Sequence, residues 1–521
     1  MSTLRTCFLV FALALFAWGC GTGTATQPAG QTGTGGGGSA GGGSGSTSPG
    51  GGGPSTPAVV FDDATVDLGK AGGFPSDLVR APDGRLITVD DATIPARVLV
   101  FPAAVGGATP SQVIPITAAD LIDHDGTTPA RAPTAFGNGL FGAFTGTLEL
   151  VFDRWLLVTV GAGNSVSDDG SVPLHLANLV VIDLDTGTIV QTVNLAWALQ
   201  TSGTFSHGAE YVGIPQSLPS MTAFVPDRSG TQTGKVFVAM SNGAGSSAGL
   251  QTFFNGTVQS WKADFTRAKP LAIDTTGKAP ADVTRTYVST YYNPVGLTRH
   301  TTATGFSTLV LTDAGASRFT TSFAAVPTTD AVLEFLDLDS GQWRDTWTAN
   351  LGPILPAPQG IASFHDGSGN TRGLITSQTY AAAYLLDLSG LDSNPVDASR
   401  LGLLRTIDLA PGGSSTAGSG FQAGVAVNAT GRTGLVTSFT TSKLTVIGLP
   451  VDPAFGPILV DPAPFDTVAL GPARGLGLGA VVFTPGAAAD AVFLVNGNFD
   501  QNFVPNRNAF LGTLAVTATI P

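Results

Sequence analysis

Five histidines, two cysteines and several aspartate-rich loops are the residues of this 521-residue chain best equipped for chemistry. Imidazoles serve as metal ligands or general bases, but His124, His175, His207, His300 and His365 contain no pair at metal-ligand spacing. Each reads as a structural or loop histidine, and only a site assembled from distant loops would unite them. Gly245-Ser246-Ser247-Ala248-Gly249 has the spacing of a nucleophile elbow, which needs a strand before the serine and a helix after it. The residues that follow, Leu250-Gln251-Thr252-Phe253-Phe254, read as loop or strand. Asp123-His124-Asp125-Gly126-Thr127, Asp168-Asp169-Gly170 and Asp366-Gly367-Ser368-Gly369-Asn370 could offer oxygens to a hard cation. In the last of these, Thr371 stands where a calcium loop requires glycine and Ser377 where it requires glutamate. Asp-Gly hairpin turns account for all three. The sequence therefore assigns no catalytic, cofactor-binding or metal-ligating residue, and no cofactor.

Cys20 is the one side chain assigned a covalent role. Met1 to Arg5 carries one positive charge, and Cys7 to Trp18 is almost wholly apolar. About twelve apolar residues suit a signal-peptide core and fall short of the roughly 20 needed to span a membrane. Ala17-Trp18-Gly19-Cys20 resembles a lipobox, with Ala17 where leucine is usual and bulky Trp18 beside it. The resemblance implies a bacterial lipoprotein: signal peptide 1–19, acyl chains on Cys20, and, because residue 21 is Gly rather than Asp, the outer membrane. The expected location is the cell envelope, facing the periplasm or the cell surface. Cys7 leaves with the leader, which excludes disulfides, haem attachment, iron–sulfur clusters and cysteine nucleophiles from the mature chain.

Residues 20–58 follow as a tether. Residues 21–58 hold 16 glycines and almost no apolar side chain, too little to offset the entropy of ordering. Such a segment is expected to be disordered, with a typical end-to-end distance of roughly 35 Å. Residues 59–521 carry no second linker of this kind and read as a single domain. Asp outnumbers Glu 34 to 3, and Lys occurs six times, a balance that favours turns over helices. With abundant Thr, Val, Gly and Phe, the class is all-β. A net charge of −13 and scattered Lys and Arg exclude nucleic acid as a partner.

One pattern recurs: an apolar strand running into a turn. Leu179 to Asp183 leads into Leu184-Asp185-Thr186-Gly187, and Leu333 to Asp337 into Leu338-Asp339-Ser340-Gly341; Tyr384 to Gly390 is a shorter copy. Each places Asp and Gly where a hairpin needs a side-chain hydrogen bond and a positive φ. With weaker copies, the anchors are Leu99, Ile182, Ser260, Leu336, Leu386, Val446 and Ala515. Units of about four strands, too small to hold a core alone, must stack on their neighbours, and a β-propeller is the commonest closed solution for antiparallel units of this size. Seven blades are predicted, with six or eight left open. The seventh anchor lies six residues before Pro521, so residues 58–68 are expected to pair with the last unit and latch the ring.

The chain thus resembles bacterial propellers with YVTN-type and NHL-type repeats over most of 59–521. Val236 to Asn242 and Val492 to Asn496 look like the YVTN strand, and Leu179 to Val193 like the strand pair that follows it. Residues 74–102, with Pro82-Asp83-Gly84-Arg85-Leu86, are closer to the NHL pattern. Segments 120–145, 196–216 and 278–305 read as long insertions. Asp183–Gly187 and Asp337–Gly341 also resemble quinoprotein dehydrogenase blades, but six Trp are too few for one in nearly every blade. Phytase-like chemistry lacks its basic ligands. These motifs report blades and say little about activity. The expected function is a membrane-anchored binding or scaffolding module, a monomer attached to the membrane only through its lipid, with an unknown protein or glycan ligand. An exported hydrolase or lactonase with a site at the central channel mouth is the alternative.

Overall fold

The computed structural model describes most of residues 58–517. The leader and most of the tether (1–57), residues 518–521, and the connections 123–142, 274–285, 351–360, 410–421, 450–475 and 500–507, with some shorter ones, lie outside the described residues. Cys20 and its expected lipid fall there.

Antiparallel sheets follow one another along the chain as propeller blades. Blade 1 contains Pro75–Arg80, Leu86–Asp90, Ala96–Phe101 and Gln112–Ile116. Blade 2 contains Ala143–Val151, Trp155–Val166, Pro173–Asp183 and Thr188–Asn194. Blade 3 contains Pro219–Pro226, Thr233–Met240, Asn255–Asp264 and Thr286–Tyr292. Blade 4 contains Pro294–Thr301, Ser307–Asp313, Val332–Asp337 and the short Gln342–Trp343, with Ala349–Asn350 alongside. Blade 5 contains Ile361–His365, Thr371–Thr376, Ala382–Asp387 and Gly402–Asp408. Blade 6 contains Leu476–Phe483, Asp490–Phe499 and Asn508–Thr517, and takes its outer strand, Ala58–Ala71, from the other end of the chain.

The fold is an all-β propeller with six full blades, not the seven predicted. Between blades 5 and 6 stands a sheet of three strands among the described residues: Gln422–Val427, Thr433–Ser438 and Lys443–Gly448. Val446 anchors this sheet, so counting anchors counted a sheet that shows no outer strand among the described residues. The innermost strand of every sheet touches that of the next, and Leu476–Phe483 touches Pro75–Arg80 to close the circle. The expected latch is present: Ala58 pairs with Thr517, Phe61 with Leu514 and Asp67 with Phe510.

The hydrophobic cores lie between blades, which explains why the middle strands read as unbroken apolar runs. Alternate residues of one strand serve two cores. Val98 and Val100 pack towards blade 2, while Leu99 and Phe101 pack towards blade 6. Leu156, Val158, Val180 and Ile182 join the first of these cores from the other side, and Leu157, Leu179 and Val181 turn to blade 3. Each middle strand therefore needs large apolar residues on both faces, and the cores seen among the described residues are each shared by two neighbouring sheets.

The turns follow their chemistry. At Gly187 (φ +66°) and Gly341 (φ +69°) the expected left-handed conformation is present. Asp185 N donates to Asp183 Oδ1 at 3.1 Å, and Asp339 N to Asp337 Oδ1 at 3.0 Å. The third copy differs: Ser389 N donates to Asp387 Oδ1, but a short 3-10 helix, Ser389–Asp392, replaces the hairpin. Segment 278–305 is not an insertion. It contains the outer strand of blade 3 and the inner strand of blade 4, joined by Asn293 alone at φ +60°.

Removal of residues 58–71 should leave blade 6 with three strands and lower the melting temperature by roughly 10 °C or more, read by circular dichroism. A second change probes a crowded turn. A Cβ on Gly431 would lie 2.0 Å from the His365 carbonyl oxygen, and φ there is +67°. Gly431→Ala should therefore lower stability by about 1–3 kcal/mol, measured from urea midpoints.

Candidate functional site

Antiparallel pairing sorts the connections onto two faces. One, the turn face, bears the links from first to second strands, such as 81–85, 152–154 and 366–370; the opposite loop face bears the blade-to-blade links. On the loop face, connections between second and third strands rise as hairpins over blades 2, 3 and 4. In blade 2 the two strands themselves extend to Val166 and Pro173. Blade 3 adds Gly243–Gly245 paired with Gln251–Phe253, and blade 4 adds Ser317–Phe319 paired with Ala325–Pro327. Gly243–Gly245 touches Trp155–Val166, and Gln251–Phe253 touches Ser317–Phe319. The three form a raised arc beside the channel mouth. The corresponding links of blades 1 and 5 are only 91–95 and 377–381.

Of the sequence with elbow spacing, Gly245 ends one hairpin strand of blade 3 and Ser246 to Gly249 lie outside the described residues, with the strand Gln251–Phe253 following them. Strand follows strand there, the wrong geometry for a nucleophile elbow. Asp366 forms the expected turn, with its Oδ1 accepting from Ser368 N and Asn370 N, both at 2.9 Å, and Gly369 at φ +79°. The loops at 123–127 and 168–170 lie outside the described residues, as do His124 and His207. His175 sits on strand Pro173–Asp183.

The remaining two histidines come together, although 65 positions separate them. His300 and His365 close the inner strands of blades 4 and 5 near the turn face, with ring centroids 6.3 Å apart. His300 is buried, and its Nε2 lies 2.9 Å from Asp392 Oδ1. The Thr371 hydroxyl donates to the same carboxylate at 2.9 Å. Burial pulls the His300 imidazole below its ordinary value, against the opposing pull of Asp392, while His365 adds to the lowering. An imidazole beside a carboxylate has the parts of a general base; here His300 and Thr371 are both buried and Asp392 is partly exposed. Beside this group Arg372 bridges Asp366, at 2.9 Å, and Asp387. The turns of blade 5 are thereby tied to its second strand. Among the described residues no group of three or more His, Cys, Asp or Glu has the geometry to hold a metal.

Around the channel, side chains of one blade bond the inner-strand backbone of the next. Asp77 Oδ2 accepts from Leu148 N at 2.7 Å, Thr147 Oγ1 from Thr222 N at 3.2 Å, and Glu149 Oε1 from Phe224 N at 3.1 Å. Part of the Glu149 side chain remains accessible, yet desolvation where its carboxyl packs on blade 3 pushes the pKa up to about 7. The Phe224 N–H and Arg299 oppose this rise, and Asp77 adds to it.

No family model matches the sequence, and no curated protein matches it either. The fold has counterparts among solved structures. The β-propeller domain of Myceliophteria thermophila Cps50 (Swd1) aligns with 88% of this chain and 100% of its own at 12% identity and a TM-score of 0.46. Hydrazine synthase of Kuenenia stuttgartiensis gives 88%, 98%, 12% and 0.45, and U3-55K gives 88%, 100%, 10% and 0.46 in the same order. At this distance the assignment rests on the ring of sheets itself.

Raising the pH should expose the Glu149 contribution. Its folded-state value lies above the ordinary 4.5, so its stabilisation is complete below about 4.5 and lost as pH rises through about 7. Glu149→Gln keeps an acceptor for Phe224 N. Melting temperatures measured across this window should fall by a few degrees more in the wild type than in the variant.

Proposed function

We propose that this chain is a lipid-anchored propeller of the cell envelope that binds a protein or glycan through its loop face, in the manner of a scaffold. The observation that carries the reading is the position of Ala58. It pairs with Thr517 at the turn face, so the tether of 20–58 leaves the disc from that side. The loop face, with its arc over blades 2 to 4, is then turned away from the anchor. The leader and Cys20 support acylation, Gly21 supports the outer membrane, and several acyl chains on one residue give stable attachment. The strand motifs quoted above support YVTN-type and NHL-type repeats. Closure of the ring within one chain, by pairing of Ala58–Ala71 with Asn508–Thr517, supports a monomer.

A second reading, an exported hydrolase or lactonase, has the His300–Asp392 approach in its favour. That pair lies near the turn face, towards the tether, which makes it the weaker reading.

Mass spectrometry of the full chain made in a bacterial host should find acyl chains on Cys20, and Cys20→Ser should move the protein to the soluble fraction. A screen of the lipidated protein against esters and lactones should show no turnover. Turnover that disappears in His300→Ala would reverse the choice between the two readings.

A further inference from the structure

Asp313 ends the second strand of blade 4 at the base of the hairpin Ser317–Phe319 with Ala325–Pro327, and it is fully buried. Neither carboxyl oxygen receives a donor. Its cross-strand partner is Val332, which places Glu334 diagonally opposite on the same face of the sheet, and the two carboxyl groups meet there. Glu334 is also buried and accepts the hydroxyl of Ser289, from the outer strand of blade 3. Ser289 Oγ in turn accepts Tyr291 N at 2.8 Å, so its single proton is committed to Glu334. From the third strand of blade 3, Gly256 leaves room for the approach: a Cβ there would lie 3.6 Å from Asp313 Oδ1 and 2.5 Å from Pro294 Cδ. The acid pair therefore sits in the seam between blades 3 and 4. Glu334 is the one charged group that shifts Asp313 among the described residues, and it acts in the same direction as burial.

Two carboxylates in contact, both shielded from water, cannot both ionise. We propose that one proton shared by Asp313 and Glu334 locks the seam between blades 3 and 4, and that its loss loosens the meeting of their two loop-face hairpins. Burial and Glu334 both raise the Asp313 carboxyl well above its ordinary range. The proton is thus held in the folded state at pH values where the unfolded chain has lost it. The stabilisation is complete below the ordinary carboxylate value and fades as pH rises through the raised one. The seam also carries the Ser220 and Ser241 hydroxyls, which donate to the Pro294 carbonyl at 2.6 and 2.8 Å. Ser241 lies two residues before the blade 3 hairpin, so a change at this seam is passed to the place where Gln251–Phe253 touches Ser317–Phe319. As regulation of ligand binding, this rests on the loop-face reading above.

Hydrogen exchange of the full chain from about pH 5 to about pH 9, corrected for the intrinsic rate, tests the lock. Wild-type amides in 243–253 and 317–327 should lose protection towards alkaline pH. Asp313→Asn and Glu334→Gln should each hold protection constant and melt several degrees higher at the alkaline end. Glu149→Gln, which removes the acid at the seam of blades 2 and 3, should behave in these hairpins as the wild type does. Identical profiles in the wild type and both seam variants would overturn the proposal. So would calcium restoring alkaline protection to the wild type but not to Asp313→Asn, which would assign the seam to a cation. The measurement needs no partner, so its failure and a failure of the binding reading are separate outcomes.

Discussion

The innermost strand of a propeller blade has one edge without a sheet partner, and the ring depends on how that edge is satisfied. Buried backbone donors left unpaired are costly. Here the preceding blade supplies side chains for them: Asp77 for Leu148, Thr147 for Thr222, Glu149 for Phe224 and the Met221 sulfur for Leu297. Thr437 does the reverse between the three-stranded sheet and blade 6, donating to the Gly479 carbonyl at 2.6 Å. These bonds fix the height of one blade against the next, while the apolar cores between blades fix their separation. They also explain why a chain with few charged residues places carboxyl groups in its interior.

Much of the blade structure was legible because the middle strands are buried on both faces. Their apolar runs stand out, and all seven anchors fall on third strands of sheets. The Asp-Gly turns were legible for a local reason, since their hydrogen bonds and positive φ values lie within five residues. The latch was legible from the shortage of chain after Ala515. Strand number within a sheet was not, because outer strands are half-exposed and irregular. The inner strand of blade 4 was missed for a different reason. Pro294 and Gly296 weaken its strand signal, and one residue, Asn293, does the work expected of a loop.

The clusters of ionisable groups were illegible. His300 and Asp392 are joined by the packing of blade 4 against blade 5, and Ser289 and Glu334 by that of blade 3 against blade 4. No short-range spacing encodes either pair. Asp366 was visible as a turn residue, which it is, and Asp387 as the end of a strand, but their shared partner Arg372 depends on the strand pairing of blade 5. The glutamates gave a faint signal. Three in the whole chain is few, and Glu149 and Glu334 both stand at seams.

Strand Ala58–Ala71 has a consequence for biogenesis. It is synthesised before every other described strand, yet its partner, Asn508–Thr517, is the last to be made. Ala58 and Thr517 are 459 positions apart, so the circle cannot be completed until every other described strand has been made, and contacts of such long range form slowly. Throughout that interval an extended apolar segment waits with bare backbone, a template for misassembly with a second molecule. Asp62, Asp63 and Asp67 lie along it, and like charges on an edge of this kind act as gatekeepers against self-pairing.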